Sequence, residues 1–310
     1  MTTPTRLNTG DLLRELEPTA AKNLDRHLSI AREWMPHEYV PWSLGRDFEA
    51  EPWEAGQSTL SRIAQLAFEV NLLTEDNLPS YHREIVEQFG RDGAWGTWVH
   101  RWTAEEGRHS LVMRDYLLVT RGVDPVALER GRMAQVEIGY DSPGLEPLDA
   151  LAYVAFQELA TRISHRNTGR YTEDPVAERL LARVATDENL HMIFYRDLIT
   201  AALALAPSQT VCAIARQVTG FKMPGAGITD FDRKAMQIAK AGIYDLRIHH
   251  DEVIWPLLRQ WGVFDLGGLD AEAQQALITM REFLTGLNTL ATTYQDRRAA
   301  AAERALAHAQ

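Results

Sequence analysis

Apolar positions along the chain recur at helical spacing, and no stretch alternates as a strand would. From Asp11 to Trp34, Leu12, Leu13, Leu16, Leu24, Leu28 and Ile30 mark a first helix, with Pro18 as an early interruption. Pro36 and Pro41 bracket an extended aromatic segment. Ser58 or Ser61 caps a helix that runs through Glu75 to about Phe89, and Pro79 inside it predicts a kink or bulge. A turn at Gly90 to Gly93 leads to a helix over Ala94 to Arg121. Asp124-Pro125 opens a shorter one to about Ile138, before a loop at 141–144. Pro147 to about Arg170 and Pro175 to Leu205 follow, then Ser208 to Thr219. After the breaker at 223–227 come helices over Asp230 to Tyr244, Asp251 to Trp261 (interrupted at Pro256) and Ala271 to the end. The pattern predicts an all-α fold: residues 1–10 unstructured, one domain over 11–310 with a four-helix bundle over about 58–206, and further helices over 208–310 packed on it.

Several apolar stripes are broken by acids. Val99, Trp102, Met113 and Leu117 share a face with Glu106; Leu181, Val184, Met192 and Tyr195 share one with Glu188. Leu151, Val154 and Ala155 flank Glu158, and Phe68 and Leu72 flank Glu75. An acid on a buried stripe is costly unless it is paired or bound to metal. Two of these acids open the same grammar: Glu105-Glu106-Gly107-Arg108-His109 and Asp187-Glu188-Asn189-Leu190-His191 both read acid-Glu-x-x-His. Residues i and i+3 share a helix face, so each motif aims a carboxylate and an imidazole at one point.

Glu75 lies 31 positions before Glu106, and Glu158 lies 30 before Glu188. At ~1.5 Å per residue, about 15 residues up and 15 back return a chain to the same height on the neighbouring helix. One Glu-x-x-His is weak, since about one is expected by chance. Two, each with a Glu at matched spacing on an apolar face, predict four carboxylates (Glu75, Glu106, Glu158, Glu188) and two imidazoles (His109, His191) converging in a four-helix bundle. That is the ligand set of a di-iron or di-manganese carboxylate site.

Composition narrows the setting. The chain has 310 residues, 45% of them hydrophobic, which supports a sizeable core. No apolar run reaches the ~18 residues of a membrane span, and the first ten residues lack an apolar signal core. Cys212 is the lone cysteine, which excludes disulfides within the chain and thiolate clusters and fits a cytoplasmic setting. A net charge of −11 argues against nucleic acid as a partner.

Four stretches in order carry a resemblance: Thr74-Glu75-Asp76-Asn77-Leu78-Pro79, Trp102-Thr103-Ala104-Glu105-Glu106-Gly107-Arg108-His109, Gln157-Glu158-Leu159-Ala160-Thr161-Arg162-Ile163-Ser164-His165 and Asp187-Glu188-Asn189-Leu190-His191. From about Glu15 to Trp261 the chain closely resembles the soluble acyl-carrier-protein desaturases, nearest their mycobacterial and actinobacterial branch. The resemblance implies a ferritin-like fold and a homodimer. It implies a cis double bond placed in an acyl chain on acyl carrier protein, with O₂ and electrons from a ferredoxin or similar donor. It also implies that Glu75, Glu106, His109, Glu158, Glu188 and His191 hold two iron ions (Fe²⁺/Fe³⁺, with Mn an alternative occupant). Thr161 matches the threonine on the oxygen-binding side, and Asp187 and Trp34 match positions that orient His109. Two features depart from the family: Gly107 and Ser110 replace its Asn and Gly, and Glu84, Glu87 and Gln88 stand where plant members have more apolar groups near the acyl pocket.

Unactivated C–H bonds are beyond any side chain, so such a reaction needs the metal pair. Carboxylates and imidazoles suit iron and leave positions open for O₂, and Trp102 and Met113 keep the site dry. Arg233, Lys234, Lys240 and Arg247 fall close together and are candidates to meet an acidic carrier protein. His82 and His165 read as packing histidines, and His249-His250 with Asp251 and Glu252 as a polar turn. Two other classes compete. One is a ferritin-like protein that handles iron or oxidises another ligand; the extra helices argue against it, and a radical-generating subunit has only Tyr195 as a candidate. The other is a non-catalytic acyl-carrier-binding member, against which all six ligands stand.

Overall fold

The computed structural model describes residues 6–140, 145–225 and 227–309. Among them every regular element is helical. Helix α1 (Thr9–Ile30) is capped by Asn8, whose side chain accepts from the Asp11 amide. Of the ten N-terminal residues expected to lack structure, Thr9 and Gly10 thus already belong to α1, and 1–5 lie outside the described residues. Pro18 is accommodated without a break. The segment expected to be extended instead folds as two 3₁₀ turns, Pro36–Glu38 and Trp42–Leu44, because Pro36 and Pro41 open them with a preset φ.

Ser61 caps α2 (Arg62–Glu75), accepting from the Ala64 amide. The single kinked helix expected through Glu75 is two helices: α2 ends at Glu75, and α3 (Leu78–Phe89) restarts after Asp76 and Asn77. Pro79 then falls in the first turn, where its missing N–H leaves no bond broken. Arg132 of α5 (Pro125–Ile138) holds the junction with two bonds to Asp76, at 2.5 and 3.0 Å. α4 (Gly93–Val119), α6 (Pro147–Tyr171) and α7 (Pro175–Leu205) complete the bundle. The loop expected at 141–144 lies outside the described residues.

α8 (Pro207–Gly220) is followed by α9 (Phe231–Lys240), which stops short of Tyr244 because Gly242, at φ +77°, reverses the chain. Beyond it, α10 (Leu246–Ile248), a π-helical stretch (His249–Ile254) and α11 (Trp255–Trp261) run on continuously. The π turn absorbs Pro256, whose ring offers no N–H: the Trp255 amide bonds the His250 carbonyl instead of that of Asp251. His249 and His250 therefore sit in a helix and not in a polar turn. α12 (Ala271–Ala309) packs Ala273, Met280, Leu284 and Leu287 into the core.

Two apolar clusters meet along the bundle. One takes Trp95, Val99 and Trp102 of α4, Met192 and Leu198 of α7, and residues of α1, α6, α8 and α12. The other takes Phe68 and Leu72 of α2, Val112 and Met113 of α4, and Leu181 and Val184 of α7. Glu106, His109, Glu188 and His191 lie between them along α4 and α7. The acids thus occupy a polar layer walled by hydrocarbon on both sides.

Candidate metal centre

Each of four helices delivers candidate ligands to this layer. α2 supplies Glu75 at its last residue, α4 Glu106 and His109, α6 Glu158, and α7 Glu188 and His191. None is more than 7% exposed, and both histidines are at 0%. The donor atoms fall into two overlapping groups: Glu75, Glu106, His109 and Glu188, and Glu106, Glu158, Glu188 and His191, with ligand atoms within 4.8 Å of one another in each. Glu106 and Glu188 belong to both. Glu106 turns one oxygen to each histidine: Oε2 is 3.2 Å from His109 Nδ1 and Oε1 is 2.8 Å from His191 Nδ1. His109 Nδ1 also faces Glu188 Oε1 at 3.5 Å and Glu75 Oε2 at 3.7 Å, and His191 Nδ1 faces Glu158 Oε2 at 3.5 Å.

A direct observation tests whether these residues fit a metal pair. Glu106 Oε1, Glu158 Oε2, both Glu188 carboxylate oxygens and the Nδ1 atoms of His109 and His191 are buried without a hydrogen-bond partner. Buried polar atoms are rarely left so. These share one face of one small space, and an oxygen-rich set with two imidazoles suits iron or manganese. The chemistry of the set would fit two ions, with Glu106 and Glu188 common to both donor groups.

Electrostatics agree. Burial pushes Glu158 well above the ordinary carboxylate range, and the charge of Glu188 adds to it. Burial, then Glu188, raises Glu106. Burial disfavours charge on His109 and His191, but the facing Glu106 and Asp187, and Glu158 and Glu105, outweigh it and raise both imidazoles well above their usual range. Cations and protons thus compete for the same buried charge.

Behind each candidate ligand histidine stands a second acid, and the two cross over. Asp187, from the α7 motif, lies 3.5 Å from His109 Nε2; Glu105, from the α4 motif, lies 2.9 Å from His191 Nε2. The Trp34 indole donates to Asp187 Oδ2 at 2.7 Å, Arg108 to the same oxygen at 3.1 Å, and Arg183 to Oδ1. Glu105 is the residue that sequence reading passed over. The shared acid-Glu-x-x-His grammar was its signal, since it puts Glu105 where Asp187 stands in the other half. His165, expected only to pack, bonds Glu75 Oε1 at 2.9 Å and faces Glu188 Oε1 at 3.5 Å. It lies two turns beyond Glu158, on that ligand's face. The Trp102 indole donates to Glu158 Oε1 at 2.9 Å.

Other candidates land elsewhere. Thr161 is buried, and its hydroxyl lies 3.2 and 3.1 Å from the carbonyls of Gln157 and Glu158, bonding back to its own helix. It also lines a cavity with Glu75, His165, Phe231 and Tyr244. A second cavity reaches both Glu75 and Glu106; Leu78, Tyr81, Ile85 and Val154 wall it, with Glu84 and Gln88. His82 bonds Thr103, Tyr195 accepts from the Trp98 indole, and His249 bonds the Tyr244 hydroxyl. The four cations do not form one free patch. Lys234 pairs with Glu69, and Arg247 is tied to Asn288 and Thr292 of α12. Arg233 and Lys240 are exposed, Arg233 beside Asp230.

Comparison with known proteins gives these features a family. The fatty acid desaturase family model matches residues 8–309. A Mycobacterium tuberculosis protein named as an acyl-[acyl-carrier-protein] desaturase, DesA1, is 53% identical over 272 residues, covering 84% of this chain and 80% of its own. A chloroplastic stearoyl-[acyl-carrier-protein] 9-desaturase of Arabidopsis thaliana is 32% identical over 246 residues, covering 73% of this chain and 61% of its own. The X-ray structure of DesA2 from M. tuberculosis, titled as an acyl-ACP desaturase, superimposes with a TM-score of 0.69 at 32% identity, over 86% of this chain and 98% of that one. With its ferritin-like all-helical fold and its buried carboxylate–histidine layer, the chain belongs to the fatty acid desaturase family.

Proposed function

We propose that this protein desaturates an acyl chain carried on acyl carrier protein, with Glu75, Glu106, His109, Glu158, Glu188 and His191 holding two iron ions. The observation that carries this reading is the pair of donor groups sharing Glu106 and Glu188, with their buried atoms unpartnered. When bound, the iron pair would supply the O₂ chemistry: two hydrogens leave a CH₂–CH₂ unit as a double bond forms, and two electrons from a ferredoxin-like donor with two protons complete the reduction of O₂ to two waters. The chain's own residues bind, orient and keep dry. Glu106 and Glu188, common to both donor groups, would be shared between the ions, and Glu75 and Glu158 would each belong to one group. Asp187, held by the Trp34 indole, faces His109 Nε2 at 3.5 Å and would steady the ring with Nδ1 inward. Val99, Trp102, Val112 and Met113 exclude bulk water above and below. The cavity walled by Leu78, Ile85 and Val154 receives the apolar chain beside Glu75 and Glu106. Its Glu84 and Gln88 set it apart from a wholly hydrocarbon slot. No helix among the described residues is long and apolar enough to cross a membrane, consistent with a carrier-borne substrate. We assign the protein to the cytoplasm and to a homodimer on the same reading.

The test is product analysis. Iron-reconstituted protein, reduced donor and O₂ are given acyl carrier thioesters of graded length, and the released chains are examined by gas chromatography. A cis-monounsaturated product is expected. Hydroxylated product alone, or none at any length, overturns the reading.

A further inference from the structure

α1 contributes none of the six ligands, yet the segment it leads into touches both halves of the site. His27, in the last turn of α1, is 2% exposed. Its Nε2 lies 2.8 Å from Glu105 Oε2, the same oxygen that lies 2.9 Å from His191 Nε2. An ionised carboxylate only accepts, so both imidazoles donate to this oxygen. His27 Nδ1 is buried without a partner. The Nε2–H tautomer leaves only a lone pair there, which is cheaper to bury than an N–H. The His27 ring also stacks on His191, with centroids 5.8 Å apart and planes 27° off parallel. Seven residues on, the Trp34 ring stacks on His109 at 6.5 Å and 14°, and its indole N–H holds Asp187. One short segment therefore places a flat ring against each ligand imidazole and a donor on the acid behind it.

We propose that His27 is a positioning residue for the His191 half of the metal site, holding Glu105 so that His191 keeps Nε2 protonated and presents Nδ1 to the ion. The inference rests on the reading that His191 is a metal ligand. Charge balance alone does not require His27. Arg101 already meets the other oxygen of Glu105, with Nε at 2.7 Å and Nη2 at 2.5 Å. Arg108 waits 4.0 Å from that same oxygen. Without the His27 donor, the carboxylate is free to rotate toward the two guanidiniums and away from His191. His27 pins the one oxygen that the arginines do not hold. Losing a partner of this kind lowers metal affinity by about 10- to 100-fold.

The test uses full-length, iron-free protein titrated anaerobically with Fe²⁺ against a competing chelator. His27→Phe keeps a buried ring and removes the donor; His27→Gln keeps a side-chain N–H. Wild type should take up two ions. His27→Phe should bind one ion as wild type does and the other about 10- to 100-fold more weakly, while His27→Gln recovers most of the loss and the iron-free variants melt together. Should His27→Phe not fold, His27→Asn, too short to reach Glu105, replaces it with the same expectation. Two ions bound at wild-type affinity by the donor-less variant, equal weakening at both sites, or no recovery in His27→Gln overturns the proposal. A wild-type chain that never takes up two ions overturns the metal reading itself, and this inference with it.

Discussion

Thr161 faces two claims at once. Its hydroxyl bonds back to the carbonyls of its own helix, as threonines in helices often do, and its side chain lines a cavity with Glu75, a proposed ligand. Thr161→Val keeps the shape and removes the hydroxyl. If the hydroxyl acts in oxygen chemistry, the variant should keep iron content and melting temperature but release more peroxide per double bond formed; lost iron or stability with unchanged coupling would make the residue structural. Gly107 poses a simpler question. It sits inside α4 between the proposed ligands Glu106 and His109, and an added Cβ would meet nothing closer than Leu78 Cδ2 at 3.9 Å. Glycine here only weakens the helix, so Gly107→Ala should stabilise the protein by about 0.5–1 kcal/mol in urea unfolding, with iron uptake unchanged.

At the scale of elements, the α3–α4 connection sets where the α4 ligands fall, and it depends on a close approach. A Cβ on Gly96 would lie 2.0 Å from the Arg91 carbonyl oxygen and 2.2 Å from its carbon, both backbone atoms with no room to move aside. Gly96→Ala should force the turn away from α4, at a cost of roughly 1–3 kcal/mol or more. A thermal melt unchanged from wild type would show that the turn adapts. Elements like α4 and α7 were legible in the sequence because their function is written in periodicity: an acid on an apolar stripe must be explained, and two such stripes explain each other. The break after Glu75 and the π turn before Pro256 were not legible. Pro79 signals an interruption, but whether the helix bends or restarts depends on Arg132 reaching Asp76 from α5. His27 and His165 escaped for the same reason, whereas Glu105 carried a signal in the repeated motif. Each histidine is an ordinary polar residue until tertiary packing brings a carboxylate of the polar layer to it, Glu105 to His27 and Glu75 to His165.

For the whole molecule, a charge of −11 would repel the proposed acidic carrier at long range, so its docking would depend on local cations. Lys234 and Arg247 are engaged within the fold, which leaves Arg233 and Lys240 as the exposed members of their cluster. Reversing both to Glu should raise the Michaelis constant for the acyl carrier a few-fold at low salt and less at high salt; an unchanged constant would move the docking face elsewhere. The crossing of Glu105 and Asp187 has a further consequence. Each Glu…acid-Glu-x-x-His hairpin holds a histidine faced by an acid of the other hairpin. Neither hairpin supplies the acid beside its own histidine, so the two halves are interdependent. The next layer out is not paired in this way: the Trp34 indole stands behind one acid and the His27 imidazole behind the other.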